Sequence, residues 1–244
     1  MSEHTPHFRR QLHVGCPNLG DRARLLERIG DALDRRWLTN HGPYVQEFEH
    51  RLKSYLGVKH CVAVCNATVG LEIAIRGLGL AGEVIVPSFT FPATVHAIAW
   101  LGLAPVFCDV DSATHNVDPQ RLEELIGPKT TGILGVHLWG NACDTNSIAE
   151  IAQRRGLRVL YDAAHAFGCG HAGQMIGNFG DAEVFSFHAT KFVNAGEGGA
   201  IVTNDDELAE KFRRLRSFGL EQGEVTGLGV NGKMSEFAGA MGLT

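Results

Sequence analysis

The stretch FSFHATKFVNAGEGG, residues 185–199, places one lysine in a turn between an apolar, strand-like run and a glycine-rich return. Strand alternation puts the two phenylalanines of FSFH on one face and Ser186 and His188 on the other. Lys191 follows in the turn. A single lysine is ordinarily a solvent-facing charge, but a desolvated lysine has a lowered pKa and can serve as a Schiff-base amine. Residues elsewhere in the chain must decide between these two roles.

Outward from this stretch, short apolar runs alternate with amphipathic patterns along the chain. This alternation predicts an α/β fold of three layers, α/β/α, in which helices cover both faces of a mostly parallel sheet. We predict no internal domain boundary. The predicted strands cover residues 61–65, 83–86, 105–108, 131–136, 157–161, 182–188 and 200–203, and the predicted helices cover residues 21–36, 44–56, 68–78, 92–101, 119–126, 145–154 and 205–218. A last helix opens in SEFAGAMGLT, with Phe237, Met241 and Leu243 as its expected apolar stripe.

Composition excludes several classes of function. The chain has 244 residues and a formal net charge of −5, so no basic surface indicates a nucleic-acid partner. We find no signal-peptide core and no apolar run long enough to cross a membrane. The six cysteines form no CxxC pair, which is typical of reduced thiols. These features together predict a cytoplasmic protein without a membrane partner.

Parallel sheets bind ligands at the carboxyl ends of their strands, so the residues that follow each predicted strand matter most. Asn66, Ala67 and Thr68 follow the first strand and open a helix, where they could bind an anion or serve only as an N-cap. Phe89 and Phe91 follow the second strand, where an aromatic ring could stack on a planar ligand or pack in the core.

Two further strand ends carry groups that suit the same ligand. Asp162 follows an apolar strand, so it is close to burial and either caps the next turn or pairs with a protonated ring nitrogen. Ser186 could donate a hydrogen bond to a phosphate. A phosphate anchor, a ring contact, an acid for a pyridine nitrogen and Lys191 for an aldehyde are together what pyridoxal 5'-phosphate requires.

The sequence also resembles the DegT/DnrJ/StrS family of sugar aminotransferases, which have the aspartate-aminotransferase-type fold. The resemblance implies the large domain of a fold type I transferase dependent on pyridoxal 5'-phosphate. It rests on the order and spacing of the segments WLTNHGPYVQEFEHRL, PSFTFPAT, PVFCDVD, VHLWGNACDTNSIAEIA, YDAAHAFG, FSFHATKFVNAGEGG and GVNGKMSEFAGAMGL.

The resemblance implies roles for the catalytic groups. Lys191 matches the family's Schiff-base lysine and proton shuttle, and Asp162 matches the acid that pairs with the pyridine nitrogen. Phe91 matches the aromatic residue that stacks on the ring. His165 stands where many members have glutamine, and its imidazole can also hydrogen-bond the cofactor's phenolic oxygen.

The remaining implied roles concern the phosphate. Ala67 and Thr68 match the phosphate-binding backbone turn, and Ser186 matches the phosphate-binding hydroxyl. Asn231 matches an asparagine that reaches the phosphate of the neighbouring subunit's cofactor. The resemblance therefore implies a homodimer with shared active sites, and none of these roles involves a metal.

The implied function is an aminotransferase that moves an amino group from glutamate to a nucleotide-linked keto-6-deoxy sugar, with 4-keto favoured over 3-keto. Such a reaction serves amino-sugar biosynthesis for surface polysaccharide, such as O-antigen, or for natural products. The alternatives are a cyclitol-ketone aminotransferase and a non-catalytic regulatory or partner subunit. The histidines and cysteines show no compact ligand spacing of the kind that a metal hydrolase requires. No GxGxxG motif follows a predicted strand, which argues against a Rossmann dehydrogenase.

Length is the main departure from the family. Residues 1–244 correspond to the large domain, with an N-terminal arm over about residues 1–20, and the family's small C-terminal domain is expected to be absent. We therefore expect this chain alone to bind the cofactor weakly or to turn over poorly.

Overall fold

A computed structural model describes residue 13 and residues 15–244. Most of the predicted N-terminal arm, residues 1–20, thus lies outside the described residues. The strands are β1 His60–Val64, β2 Glu83–Pro87, β3 Ala104–Cys108, β4 Thr130–Val136, β5 Arg158–Asp162, β6 Gly170–His171, β7 Gln174–Met175, β8 Ala182–Ser186, β9 Gly199–Thr203, β10 Leu220–Glu221 and β11 Glu224–Val225. The helices are α1 Arg22–Arg35, α2 Pro43–Leu56, α3 Ala67–Leu78, α4 Pro92–Trp100, α5 Pro119–Glu124, α6 Thr145–Arg155, α7 Asp206–Arg216 and α8 Glu236–Gly242.

Seven of the strands form one sheet in the order β1-β9-β8-β5-β4-β2-β3. Only β9 runs antiparallel to its neighbours in this sheet, and the remaining pairs are parallel. The predicted mostly parallel α/β fold is therefore confirmed. Because β1, β2, β4, β5 and β8 point the same way, the loops that follow them lie along one edge of the sheet.

Side-chain alternation along the strands explains why helices cover both faces. In β1, Val62 and Val64 face a core that they share with α3 and α7, whereas Cys61 and Ala63 face a core built on α2. A third apolar cluster packs α5 and α6 against β4 and β5. The period-two pattern of each strand thus supplies two buried faces, as a three-layer fold requires.

Helix α8 is present, as predicted, but its expected apolar stripe is only partly correct. Leu243 is buried, whereas Phe237 is 37% exposed, and the helix buries Gly239 and Ala240 instead. Gly239 lies against the backbone of α2, where a Cβ would come within 3.0 Å of it. Small residues allow this close approach, which an apolar-periodicity argument does not detect.

A buried carboxylate joins these two helices. Glu236 is 1% exposed and accepts hydrogen bonds from the backbone N–H groups of Tyr44 and Val45, at 2.9 and 3.0 Å. These donors belong to the first turn of α2, whose N-cap Gly42 has no side chain to satisfy them. Glu236 therefore caps a helix distant in sequence.

Replacing Glu236 by alanine is expected to lower the free energy of unfolding by about 1–2 kcal/mol, the usual cost of a lost N-cap. Urea titration followed by circular dichroism measures this change. The matched control is Glu224→Ala, at an exposed residue of β11. Equal unfolding midpoints for the two variants would show that the contact contributes nothing.

The structure also contains two short antiparallel hairpins, β6–β7 and β10–β11, which the sequence patterns did not predict. Each strand in them has only two residues, too few to show a period. Within the described residues, no helix is both long and apolar enough to cross a membrane.

Candidate active site

A cavity of about 440 Å³ opens at the carboxyl ends of the parallel strands. Seven of the eight residues proposed from the sequence line it: Ala67, Thr68, Phe91, Asp162, His165, Ser186 and Lys191. They come from the ends of β1, β2, β5 and β8 and are distant from one another in sequence. The fold thus brings together most of the groups that the strand-end argument selected, although not Phe89, and adds His165, which the resemblance implied.

One wall of the cavity is the N-terminus of α3. Asn66 caps this helix through its side-chain oxygen, which accepts from the N–H of Val69 at 2.9 Å. The N–H groups of Ala67 and Thr68, in the first turn, have no acceptor within the helix and are available to an anion. The N-cap and the anion-binding interpretations of this turn are therefore compatible.

Glycine on the neighbouring strand makes this turn possible. A Cβ at Gly199 of β9 would lie 2.8 Å from the backbone nitrogen of Ala67 and 2.9 Å from the backbone carbonyl oxygen of Phe185. No side chain fits at this separation, so the return strand can pass beside the α3 turn only with glycine. Ser186, paired with Gly199 in the ladder, places its hydroxyl at the same wall.

Asp162 provides the buried acid. Its side chain is held by two hydrogen bonds, one from the hydroxyl of Thr94 to Oδ2 at 2.8 Å and one from the N–H of Ala164 to Oδ1 at 3.0 Å. The residue is 5% exposed, and among the described residues it forms no ion pair. A buried carboxylate without a cation is costly, so this one suits a positively charged ligand group.

The sequence argument missed Thr94, which is fully buried on the first turn of α4. Its hydroxyl also lies 2.8 Å from that of Thr90, a residue of the cavity wall. The available signal was the spacing: Thr90 and Thr94 lie four residues apart, one on each side of the start of α4. Thr94 orients the carboxylate of Asp162 from outside the cavity.

Burial lowers the pKa of two basic groups in the cavity, Lys191 and His165. The pKa of Lys191 is lowered by burial, and the negative charge of Asp162 opposes this change. The pKa of His165 is lowered by burial and by the charge of Lys191, again opposed by Asp162. His165 Nδ1 accepts from the N–H of Trp139 at 3.5 Å, which fits a neutral imidazole that can donate from Nε2.

Because the pKa of Lys191 is lowered, its amine is expected to react with an aldehyde at lower pH than a free lysine side chain, whose pKa is about 10.4. Reductive methylation with formaldehyde across a pH series, followed by peptide mass analysis, gives the midpoint. The midpoint should fall further in Asp162→Asn, since that carboxylate raises the pKa of Lys191. A wild-type midpoint at or above that of free lysine would contradict the burial argument.

Phe91 and Phe89 differ in their surroundings. Phe91 is the N-cap residue of α4, and its 67% exposed ring borders the cavity, so its stacking role stays a prediction. Phe89 does not line the cavity and packs edge to face against Trp139 and His115, at centroid distances of 5.8 and 6.1 Å.

Asn231 is the one proposed residue that lies outside the cavity. It is exposed, and its side-chain oxygen accepts from Lys233 Nζ at 2.6 Å. Its expected contact belongs to a neighbouring subunit, so the role of Asn231 stays a prediction.

Five polar residues of the cavity wall were not among the eight proposed site residues: Asn66, Thr90, His188, Thr190 and Glu197. His188 leaves the predicted strand, because β8 ends at Ser186. Its ring lies near two of the others, with Nδ1 at 2.9 Å from the hydroxyl of Thr190 and Nε2 at 3.7 Å from Glu197 Oε1. For His188, Thr190 and Glu197, the available signal was their position close to Lys191 in the sequence.

The histidines and cysteines considered for a metal site are dispersed. In the part of the chain that the structure describes, no group of three or more His, Cys, Asp or Glu side chains is placed to hold a metal ion. His137 is fully buried and instead pairs with Glu183, at 3.1 Å, and accepts from the N–H of Cys143. It therefore has a structural role beneath the site.

Comparison with known proteins identifies the family. The sequence pattern of the DegT/DnrJ/EryC1/StrS aminotransferase family matches residues 20–244. The chain belongs to this family. The resemblance stated from the sequence is thus confirmed, and members of the family are aminotransferases that depend on pyridoxal 5'-phosphate.

Individual relatives agree with this assignment. The chain is 43% identical to dTDP-4-amino-4,6-dideoxy-D-glucose transaminase of Shigella dysenteriae over 95% of its residues, and 39% identical to GDP-perosamine synthase of Caulobacter vibrioides over 96%. It spans 64% of the length of each of these two relatives.

Solved structures give the same result for the fold. The crystal structure of DesI in the presence of its TDP-sugar product superposes with a TM-score of 0.93 at 53% identity, over 97% of this chain and 61% of that one. A second solved structure is Helicobacter pylori PseC, an aminotransferase involved in the biosynthesis of pseudoaminic acid. It superposes with a TM-score of 0.89 at 32% identity, over 96% of this chain and 64% of that one.

Proposed function

We propose that this chain forms the cofactor-binding part of an aminotransferase that uses pyridoxal 5'-phosphate and acts on a nucleotide-linked keto sugar. The observation that carries the proposal is the convergence of Lys191, Asp162 and the first turn of α3 on one cavity. Each group has a separate chemical purpose, and each comes from a different strand end.

The described residues fit the cofactor on three counts. The first turn of α3 and Ser186 offer hydrogen-bond donors to a phosphate. Asp162 is a buried carboxylate that forms no ion pair among the described residues, which suits a protonated pyridine nitrogen. Lys191 has a lowered pKa, so a larger fraction of its amine is neutral and nucleophilic.

The cofactor, when bound, would supply an electron sink for proton transfer at the substrate carbon. The chain's own residues then have defined tasks. Asp162 keeps the ring nitrogen protonated, and Thr94 fixes the direction of that carboxylate. Lys191 moves the proton at the substrate carbon as general acid and base. His165 would donate a hydrogen bond from Nε2 to the cofactor's phenolic oxygen, and Phe91 would cover one face of the cofactor's ring.

The relatives support a substrate class for this proposal. The dTDP-sugar transaminase and the GDP-perosamine synthase named above are both enzymes of nucleotide-linked amino sugars. We propose a nucleotide-linked keto-6-deoxy sugar as acceptor, with the keto group at carbon 4, and glutamate as donor. We further propose a homodimer in which Asn231 reaches the neighbouring site.

The experiment is incubation of the protein with pyridoxal 5'-phosphate, glutamate and a panel of keto substrates, with mass detection of the amino product. The panel holds dTDP- and GDP-linked 4-keto-6-deoxyhexoses, a 3-keto isomer and a cyclitol ketone. Conversion of a 4-keto nucleotide sugar, lost in Lys191→Ala, supports the proposal. Conversion of the cyclitol alone would overturn the substrate class. Because we expect this chain to turn over poorly, slow conversion still supports amine transfer, whereas cofactor binding without any detectable amino product would overturn it.

A further inference from the structure

An exposed group of three rings lies beside the cavity and has no part in the chemistry described above. Phe89, His115 and Trp139 contact one another edge to face, with centroid distances of 5.6–6.1 Å. Phe89 is 47% exposed and Trp139 is 63% exposed. We call these three residues the aromatic platform. Large aromatic surface left in water at a cavity mouth is a common mark of ligand binding.

The aromatic platform is continuous with the cavity on two sides. Phe89 directly precedes Thr90 and Phe91, both of which line the cavity. Trp139 donates its backbone N–H to Nδ1 of His165, another lining residue. A ligand that fills the cavity and extends outward therefore meets these rings.

Strained backbone conformations hold two residues of the aromatic platform in place. His115 and Trp139 both have positive φ angles, 61° and 52°, which are uncommon for residues other than glycine. Asn116, 3% exposed, holds their two loops together. Its side chain accepts from the N–H of Leu138 at 3.2 Å and donates to the carbonyl of Ala142 at 2.8 Å. Strained backbone held by a buried amide is typical of binding sites.

We propose that the aromatic platform binds the nucleobase of the nucleotide-linked substrate by stacking. This inference rests on the proposed function. A cavity of about 440 Å³ is near the lower end for ligand pockets, so the cofactor and the reacting sugar occupy it and the nucleotide must lie at its mouth. A nucleobase is planar, so its π-face can stack on an exposed aromatic side chain, and such stacking contributes strongly to the binding of nucleotides by proteins.

The test is calorimetric titration with dTDP, and with inorganic pyrophosphate as the probe that lacks a base. Trp139→Ala should weaken dTDP binding about tenfold or more and leave pyrophosphate binding unchanged. Trp139→Phe keeps an aromatic face and should retain most of the affinity. Phe89→Leu keeps apolar volume without a ring, and should weaken dTDP binding independently of any effect on the strained turn.

The control is Trp100→Ala, because Trp100 is 82% exposed at the end of α4 and does not line the cavity. Equal dTDP affinity in wild type, Trp139→Ala and Phe89→Leu would overturn the inference. So would wild-type binding of dTDP that is no tighter than that of pyrophosphate, or a change in oligomer mass without a change in dTDP affinity. If all variants still bind pyridoxal 5'-phosphate, such a result would count against the nucleobase inference and not against the proposed cofactor site. Failure of the wild-type protein to bind pyridoxal 5'-phosphate would instead count against the proposed function.

Discussion

Lys191→Ala is expected to abolish covalent attachment of pyridoxal 5'-phosphate and to reduce amine transfer by at least ~10³-fold. The variant loses both the amine that bonds to the aldehyde and the group that moves the substrate proton. Lys191 is half-buried with a lowered pKa, and the other cavity residues offer no second amine. The cofactor's phosphate contacts at Ala67 and Thr68 remain, so weak non-covalent binding should persist.

Cofactor-derived absorption after gel filtration and initial rates of amino-sugar formation measure the two effects. The control is Lys129→Ala, at an exposed lysine before β4. Lys191→Arg keeps the positive charge but cannot form the covalent bond, and should behave like Lys191→Ala. Activity within tenfold of wild type in either variant at position 191 would contradict the role given to this residue.

Asp162→Asn is expected to reduce amine transfer by ~10²-fold or more, the usual size for removal of a preorganised charge from an active site. The substitution keeps the shape of the side chain, and the amide oxygen can still accept from Thr94 or from the N–H of Ala164. It removes the negative charge that would hold a proton on the ring nitrogen. A lower rate of amine transfer in a correctly folded Asp162→Asn variant therefore measures the contribution of the negative charge of Asp162.

The pH dependence of reductive methylation of the Lys191 amine, measured in the cofactor-free protein, separates this effect from misfolding. The transition of the variant should shift to lower pH, because Asp162 raises the pKa of Lys191 in the wild type. Asp34→Asn, at an exposed position of α1, is the matched control. An unshifted transition together with a rate within twofold of wild type would contradict the assignment.

The sequence was sufficient to predict the fold and to choose eight residues of which seven line one cavity, largely because strand periodicity positions them. Apolar runs such as residues 61–65 and 157–161 mark buried strands, and parallel order then places the residues after them at one edge. Asp162 and Lys191 meet by this rule alone. The boundary errors were small, although β8 ends two residues earlier than predicted, which leaves His188 in the turn.

What the sequence did not predict depends on contacts between distant residues. Thr94 touches Asp162, 68 positions away, and Glu236 caps a helix that begins nearly 200 positions earlier. Neither residue lies in a periodic pattern that indicates its partner. The arrangement of Trp139 and His115 likewise depends on positive φ angles and on Asn116, which no propensity scale specifies.

The most direct test of the cofactor site is to find where the cofactor attaches. The protein is incubated with pyridoxal 5'-phosphate, reduced with borohydride, digested and analysed by mass spectrometry. We predict one modified residue, Lys191, and no modification there in the alanine variant. Modification of other lysines with none at Lys191 would contradict the account.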